Sequence, residues 1–269
     1  MKRALLVGIN YMGTSIELHG CINDVMNVNE ALNGRGYEIK LLTEKSESQP
    51  TKNNIISGVE WLLDNAKDGD VLFFYYSGHG AVTGENVNKL SKMDDVIVPL
   101  DYKKNGLIDD NWLYLNLAKK VPKGVTLWAF TDCCHSGTML DLEFDIVCNA
   151  TRIGSGGGYD EHVNYNEHVN YNENDWDTKY IFLNESSTIT DGHVFLFSGC
   201  LDSETSEEIN GRGAFTECFL EFIKAHPNNT VKIIKVLKEI NCRLISKGFN
   251  QKSELSLGKI QDITFFFNI

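Results

Sequence analysis

The stretch Val125–Gly137 reads Val-Thr-Leu-Trp-Ala-Phe-Thr-Asp-Cys-Cys-His-Ser-Gly and decides the fold. An apolar run rich in β-branched and aromatic residues ends abruptly in a polar loop that carries two cysteines. This pattern is typical of a buried parallel strand that delivers side chains at its carboxyl end. Asp70–Gly80 has the same construction, with an apolar and aromatic run that leads into Ser-Gly-His-Gly. In open α/β sheets the active crevice lies beyond the carboxyl ends of the strands, so the two loops are expected to meet there.

The rest of the chain alternates segments typical of strands with segments typical of helices. Ala81–Asp110 interrupts this pattern as a long polar loop. The alternation predicts a mostly parallel sheet covered by helices on both faces. Besides the two strands above, strands are predicted at Arg3–Asn10, Tyr37–Leu42, His193–Ser198 and Asp262–Ile269. Helices are predicted behind a cap at Asn23 or Asp24 and at Asn53–Ala66, Asn111–Lys120, Phe215–Lys224 and Val231–Ile245.

Residues 150–190 differ in composition from the rest of the chain. A glycine-rich run is followed by Tyr159–Asn164, which Tyr165–Asn170 nearly repeats, and acidic residues dominate. Such a biased segment is predicted to be a mobile insert. Too little chain follows it to build an independent core, so a single domain is expected. That domain, 1–269, would consist of residues 1–149, the insert 150–190 and residues 191–269.

Composition excludes several classes of protein. No run approaches the roughly 18 apolar residues of a membrane span, and the first apolar run is too short for a signal peptide. The net charge of −12 argues against a nucleic-acid partner. Seven cysteines without a paired framework or zinc spacing argue against structural disulfides. We therefore expect an intracellular, cytoplasmic protein that contacts neither membrane nor nucleic acid.

The two polar loops supply the residue types of nucleophilic catalysis. Cys134 is the candidate nucleophile, because a nearby imidazole can convert a thiol to the reactive thiolate near neutral pH. His79 lies between two glycines and is presented on a loop, and backbone N–H groups near Gly80 and Cys134 could stabilise an oxyanion. The alternative for Cys133 and Cys134 is burial as small apolar residues at a strand end. Spacing alone leaves both open, and the polar neighbours on either side favour catalysis.

Together the two motifs, Tyr-Ser-Gly-His-Gly and Asp-x-Cys-His-Ser-Gly, resemble those of the metacaspases, cysteine peptidases related to the caspases. The order of the matching regions is similar to that in type I members. The resemblance covers nearly the whole chain outside residues 150–190. It extends to four further stretches, Leu18–Asp24, Asp95–Asp101, Phe197–Ser206 and Gly213–Thr216.

The resemblance implies an α/β fold, a caspase-like three-layer α/β/α sandwich with a mostly parallel six-stranded central sheet. It implies a cysteine endopeptidase in which His79 is general base and acid and Cys134, directly before His-Ser-Gly, is the nucleophile. Cys133 is the rival for that role. No third triad residue is evident, so a dyad is expected. His135 would be structural, and Cys21 a packed loop cysteine.

The resemblance also implies a pocket that accepts arginine or lysine before the cut bond. Asp24, Ser77 and Asp132 match the residues that line it. Two carboxylates in one partly desolvated pocket favour a cation. The alternative is that Asp24 caps its own helix and Asp132 binds loop amides.

Calcium activation and self-cleavage are further implications. Clustered carboxylates suit calcium, although no EF-hand spacing is present and solvated charges or helix caps are the alternative. The candidate ligands are Asp94, Asp95, Asp109, Asp110 and Asp141. The only basic residues in the insert are Arg152 and Lys179, which are therefore the candidate cleavage sites. The resemblance to metacaspases implies a monomer rather than a caspase-like dimer. It also implies protein or peptide substrates. The rival function is a caspase-like scaffold or binding protein without catalysis.

Overall fold

The computed structural model describes most of the chain and leaves several segments out. The described residues are 1–83, 94–133, 139–150, 176–182, 189–199, 208–209, 211–227 and 231–269. Cys134 and Arg152 lie outside these ranges. Within them, no helix has both the length and the apolar character needed to cross a membrane.

An eight-stranded sheet forms the centre of the fold, in the order β2-β1-β3-β7-β10-β14-β8-β9. The first five strands in this order are mutually parallel, and the last three are antiparallel to their neighbours. The strands are β1 (Lys2–Gly8), β2 (Glu38–Thr43), β3 (Val71–Ser77), β7 (Thr126–Asp132), β8 (Phe144–Ala150), β9 (Trp176–Phe182), β10 (His193–Ser198) and β14 (Glu254–Leu257). Every residue of β7 is buried, because it lies mid-sheet with helices on both faces.

Helices cover both faces of the sheet, which confirms the predicted three-layer α/β/α architecture. The helices are α1 (Cys21–Leu32), α2 (Lys52–Leu63), α3 (Tyr102–Asn105), α4 (Asp110–Asn116), α5 (Ala214–Ala225) and α6 (Ile233–Ser246), with 3-10 turns at Ala118–Lys120 and Ile260–Thr264. One core lies under α1, α5 and α6 and contains Phe73 and Phe130. The other lies under α2 and α4 and contains Phe74 and Ala129. Successive side chains of β3 and β7 thus point to opposite cores.

Among the described residues, three smaller sheets lie outside the central one. One contains β4 (Gly80–Thr83), β5 (Asp94–Ile97) and β6 (Ile108–Asp109); the other two pair β11 (Glu208–Ile209) with β12 (Arg212–Gly213) and β13 (Val231–Lys232) with β15 (Phe266–Phe267). The stretch Ala81–Asp110 is therefore not one long loop, as predicted, since β4–β6 and α3 form within it. Buried Val96 and Ile97 explain why β5 is held against the main body.

The structure corrects five other predictions. The central sheet has eight strands and not six, because β8 and β9 extend it beyond β14. Residues 176–182 of the predicted insert thus belong to the sheet. The strand predicted at Asp262–Ile269 is instead a 3-10 turn and the short β15, and β14 takes the place in the central sheet. Helix α1 begins at Cys21, so neither Asn23 nor Asp24 caps it, and Cys21 is buried in a helix rather than a loop.

Candidate active site

The carboxyl ends of β3 and β7 lie side by side, as the sequence predicts. The two strands are adjacent and parallel, and their last residues, Ser77 and Asp132, are partners in the register. His79 and Cys134 each follow two residues later in the sequence. The candidate base and the candidate nucleophile are therefore attached to neighbouring strand ends, although Cys134 itself is outside the described residues.

The His79 side chain is held by a backbone carbonyl from the loop after β1. Its Nε2 lies 2.8 Å from the carbonyl oxygen of Ile16. Since a carbonyl can only accept a hydrogen bond, Nε2 carries the proton and Nδ1 is the basic nitrogen of the neutral ring. A backbone carbonyl thus orients His79 in the manner of a third triad member. No residue-type pattern could have revealed it, because any residue has a carbonyl.

Cys133 is sealed inside the protein. It is 1% exposed and packs in the core under α2 and α4, together with Tyr11 and Tyr76. A thiol in that position cannot reach a peptide bond at the surface. Of the two adjacent cysteines, Cys134 is therefore the better candidate for the nucleophile.

Two buried carboxylates converge on one point at the carboxyl ends of these strands. Asp24 and Asp132 are 1% and 5% exposed. A methyl group on Gly213 would lie 3.0 Å from Oδ2 of Asp24 and closer still to Oδ2 of Asp132. Ser77 Oγ donates to Asp24 Oδ2 at 3.3 Å. The three predicted pocket residues are thus together. Gly213, which belongs to the stretch Gly213–Thr216 that carries the resemblance, is a fourth that was not predicted to line the pocket.

The amino end of α5 binds both carboxylates. Gly213 N, at the N-cap, donates to Asp24 Oδ1 and Oδ2 at 3.1 and 3.0 Å. Thr216 donates to Asp132 Oδ2 through its N–H at 3.2 Å and its hydroxyl at 2.6 Å. Asp24 does not cap its own helix, whose N-cap is Gly20. Asp132 is bound by Thr216 in the first turn of α5. The positive end of a helix stabilises carboxylates in this position.

A buried tyrosine completes this polar cluster. Tyr75 Oη lies 2.5 Å from Thr216 Oγ1. Because Thr216 gives its hydroxyl proton to Asp132, Tyr75 donates to Thr216. Burial raises the pKa of Tyr75, and the charges of Asp24 and Asp132 raise it further. Tyr75 therefore stays protonated and serves as a donor.

The five predicted metal ligands lie on and around β5 and α4. Asp94 and Asp95 begin β5, and Asp109 caps α4 by accepting from Trp112 N at 2.6 Å. Both Asp110 oxygens accept backbone N–H groups, from Asp95 at 3.1 Å and Asn111 at 2.7 Å. Burial, together with the charges of Asp94 and Asp141, raises the pKa of Asp110 to about 6.

Of the two predicted cleavage sites only Lys179 lies in a described segment. It belongs to β9 and pairs with Val147 of β8. A peptide bond in a paired strand must leave the sheet before a protease can take it up. Arg152 lies outside the described residues.

Comparisons with known proteins identify the family. The model of the metacaspase, peptidase C14 domain matches residues 2–143. Metacaspase-2 of Trypanosoma brucei brucei is 33% identical over 286 aligned residues, which cover 99% of this chain and 76% of that protein. This chain belongs to the metacaspase family. It is accordingly a cysteine-type endopeptidase that acts on protein substrates.

Two further proteins are similar to this metacaspase, one in sequence and one in fold. Inactive metacaspase-4 of Trypanosoma brucei brucei is 33% identical over 266 aligned residues, which cover 96% of this chain and 72% of that protein. A crystal structure of protein GSU0716 from Geobacter sulfurreducens superposes with a TM-score of 0.66, over 95% of this chain and 92% of that one. At 20% identity, this second likeness shows the fold alone.

The raised pKa of Asp110 predicts a pH-dependent stability. Between about pH 4 and 6 the folded metacaspase keeps a proton that an unfolded aspartate has lost, so the free energy of unfolding falls as pH rises through this window. The variant Asp110→Asn lacks this titration. Its melting temperature, relative to the parent, should improve by a few degrees between pH 4 and 7.5, as about 1 kcal/mol corresponds to 2–4 °C at this size.

Thermal melts measured in the presence of a chelator test this prediction. Asp64→Asn is the control, because Asp64 is an exposed aspartate on the surface. A difference between Asp110→Asn and the parent that stays constant from pH 4 to 7.5 would contradict the assignment.

Proposed function

We propose that this metacaspase cleaves peptide bonds after arginine or lysine with a dyad of Cys134 and His79. The observation that carries the proposal is the convergence of two buried carboxylates, Asp24 and Asp132, at the strand ends that lead to the dyad loops. The cysteine chemistry follows from the family, whereas the specificity follows from this pocket.

In the proposed mechanism, Nδ1 of His79 takes the proton of the Cys134 thiol. The thiolate attacks the scissile carbonyl carbon, and backbone N–H groups near Gly80 and Cys134 bind the resulting oxyanion. His79 then protonates the leaving amine, and water releases the acyl group from the sulfur. The Ile16 carbonyl keeps the proton on Nε2 throughout, and it stabilises the imidazolium that forms when Nδ1 is protonated.

The charge balance of the pocket favours a cationic side chain. Two carboxylates contribute two negative charges, and the amino end of α5 contributes the equivalent of about half a positive charge. A net charge of roughly −1.5 therefore faces the substrate side chain. The planar guanidinium of arginine can bind both carboxylates at once, whereas lysine offers a single point charge. An aspartate in the same place would meet like-charge repulsion of several kcal/mol.

We also propose that calcium raises the activity by binding among the acids around Asp110. The support is electrostatic, since the charges of Asp94 and Asp141 oppose ionisation of Asp110. The described residues contain no group of three acidic, histidine or cysteine side chains placed to hold a metal ion. Calcium would therefore have to draw these side chains together, and no catalytic step above depends on it.

Self-cleavage is proposed at Arg152 rather than at Lys179. Pairing of Lys179 in β9 opposes cleavage there. Arg152 is the other basic residue of residues 150–190, and the proposed pocket selects basic residues.

The first prediction concerns specificity. A panel of fluorogenic peptide amides that differ only in the residue before the cut bond should show cleavage after Arg and Lys and none after Asp. Arginine should also be preferred over citrulline, its neutral isostere. Asp24→Asn and Asp132→Asn should lower this preference sharply, as truncating one partner of a buried charge pair costs about 2–5 kcal/mol.

Asp64→Asn is the matched control and should keep the arginine preference. A panel in which Asp or apolar residues are preferred would refute the pocket while leaving the dyad untouched.

The second prediction separates the two cysteines. Cys134→Ala should abolish turnover, because it removes the nucleophile, whereas Cys133→Ala should retain most of it. The Cys134→Ala chain should also stay intact, while the parent converts to two fragments that Arg152→Gln, but not Lys179→Gln, prevents. Peptidase assays and gel electrophoresis of the same preparations measure both.

Loss of turnover in Cys133→Ala alone would overturn the choice of nucleophile. A parent that shows no turnover and no labelling by thiol-reactive peptides would instead support the scaffold function.

The third prediction concerns calcium. Millimolar CaCl₂ should raise both the melting temperature and the peptidase rate of the parent, since a divalent cation relieves the repulsion around Asp110. Asp110→Asn should weaken both responses. Melts and rates that are equal in CaCl₂, MgCl₂ and chelator would remove calcium from this account.

A further inference from the structure

The backbone of His79 is held on both sides by tyrosine hydroxyls. His79 N donates to Tyr11 Oη at 3.0 Å. Tyr76 Oη donates to His79 O at 2.7 Å. Both tyrosines are completely buried. The peptide units before and after the candidate base are therefore tied to two side chains of the core.

The same two hydroxyls are tied to Val98, which follows β5. Tyr11 Oη donates to Val98 O at 2.6 Å, and Val98 N donates to Tyr76 Oη at 3.2 Å. Each hydroxyl thus gives its proton to one carbonyl and accepts one backbone N–H. Burial raises the pKa values of both tyrosines, so both keep their protons. A satisfied buried network of this kind fixes the geometry of its members.

Tyr11 contacts the His79 ring as well as its backbone. The two ring centroids are 4.8 Å apart. Tyr11 has φ +52°, a conformation that residues other than glycine rarely adopt. Its carbonyl accepts from Thr14 N at 3.1 Å and Thr14 Oγ1 at 2.7 Å, which holds this turn. Ile16, whose carbonyl binds His79 Nε2, follows in the same loop.

Gly78 shows how closely the two hydroxyls approach the histidine loop. A methyl group on Gly78 would lie 2.7 Å from Tyr76 Oη and 3.1 Å from Tyr11 Oη. Only glycine leaves room for both hydroxyls at this point. The two tyrosine hydroxyls that bind the His79 backbone thus explain why Gly78 is a glycine.

We propose that Tyr11 and Tyr76 are positioning residues, which set the place of the His79 ring by holding its backbone N–H and carbonyl. The proposal rests on the role proposed above for His79. Proton transfer needs the ring within hydrogen-bond reach of the thiol, and a displacement of about 1 Å can cost roughly 10²-fold in rate. Neither tyrosine touches the reacting atoms.

The test compares Tyr11→Phe and Tyr76→Phe, which delete only a hydroxyl each. Tyr37→Phe is the matched control, because the buried Tyr37 hydroxyl has no hydrogen-bond partner among the described residues. For each folded variant, kcat, KM, the pH profile of kcat/KM and the rate of alkylation by iodoacetamide are measured on the best substrate of the panel. His79→Ala serves as the reference for complete loss of the base.

We expect kcat to fall about 10- to 100-fold in both hydroxyl deletions, with KM within about threefold of the parent. The pH profile and the pH dependence of alkylation should shift in these two variants and not in Tyr37→Phe. In the His79→Ala background, Tyr11→Phe should cause no further loss.

Two results would overturn the proposal. One is a kcat within twofold of the parent in both variants, and the other is an equal loss in Tyr37→Phe. If His79→Ala itself retained full turnover, the proposed dyad would fail first, so the two failures can be told apart.

Discussion

The contact between the amino end of α5 and the carboxylates of Asp24 and Asp132 is the constraint on which the site depends. A buried carboxylate is costly unless it is hydrogen-bonded and its charge is balanced. Here two of them share one helix end. The helix must therefore sit over the ends of β3 and β7, and the residue at its N-cap must be glycine, since any larger residue would collide with Asp132. The proposed specificity and the fold thus depend on the same contact.

Strand β3 links this pocket to the candidate base through simple alternation. Tyr75 and Ser77 point toward α5 and take part in the carboxylate cluster. Tyr76 points to the opposite core and holds the His79 backbone. One face of the end of β3 therefore contributes to the pocket, and the other face holds the candidate base. The alternation of side chains along the strand fixes the relative position of the two. A shift of one residue in the register would exchange these roles.

Sequence patterns predict the parts of this arrangement that depend on long apolar runs. β3 and β7 are buried on both faces and read as continuous apolar segments, so both strands and the adjacency of their carboxyl ends are predicted correctly. β14 was missed because it is short and buries polar residues, Glu254 and Ser256, between its neighbours. β8 and β9 were both missed, because they pair with each other across a segment of biased composition. The strand pairing, and not the local sequence, determines both.

The parts of the site that the sequence did not predict were missed for one physical reason. The Ile16 carbonyl and the Gly213 N–H are backbone groups, whose role cannot be predicted from the type of residue. Thr216 and Tyr11 each act through a single hydroxyl, and the sequence does not show which groups these hydroxyls contact. Each becomes visible only when distant segments are brought together, since Gly213 meets Asp24 from 189 positions away. Residue identity predicts which chemistry is available, and the backbone decides where it is used.

The pocket is shared between the two parts of the chain that flank residues 150–190, and this bears on self-cleavage. Asp24, Ser77 and Asp132 come from one side, and Gly213 and Thr216 come from the other. Separating the parts would leave two buried carboxylates without their helix end, and it would also break the pairing of β10 with β7. A single cut at Arg152 removes none of these contacts. The pocket is therefore held by the sheet and by α5, so cleavage of the intervening chain is compatible with an intact site.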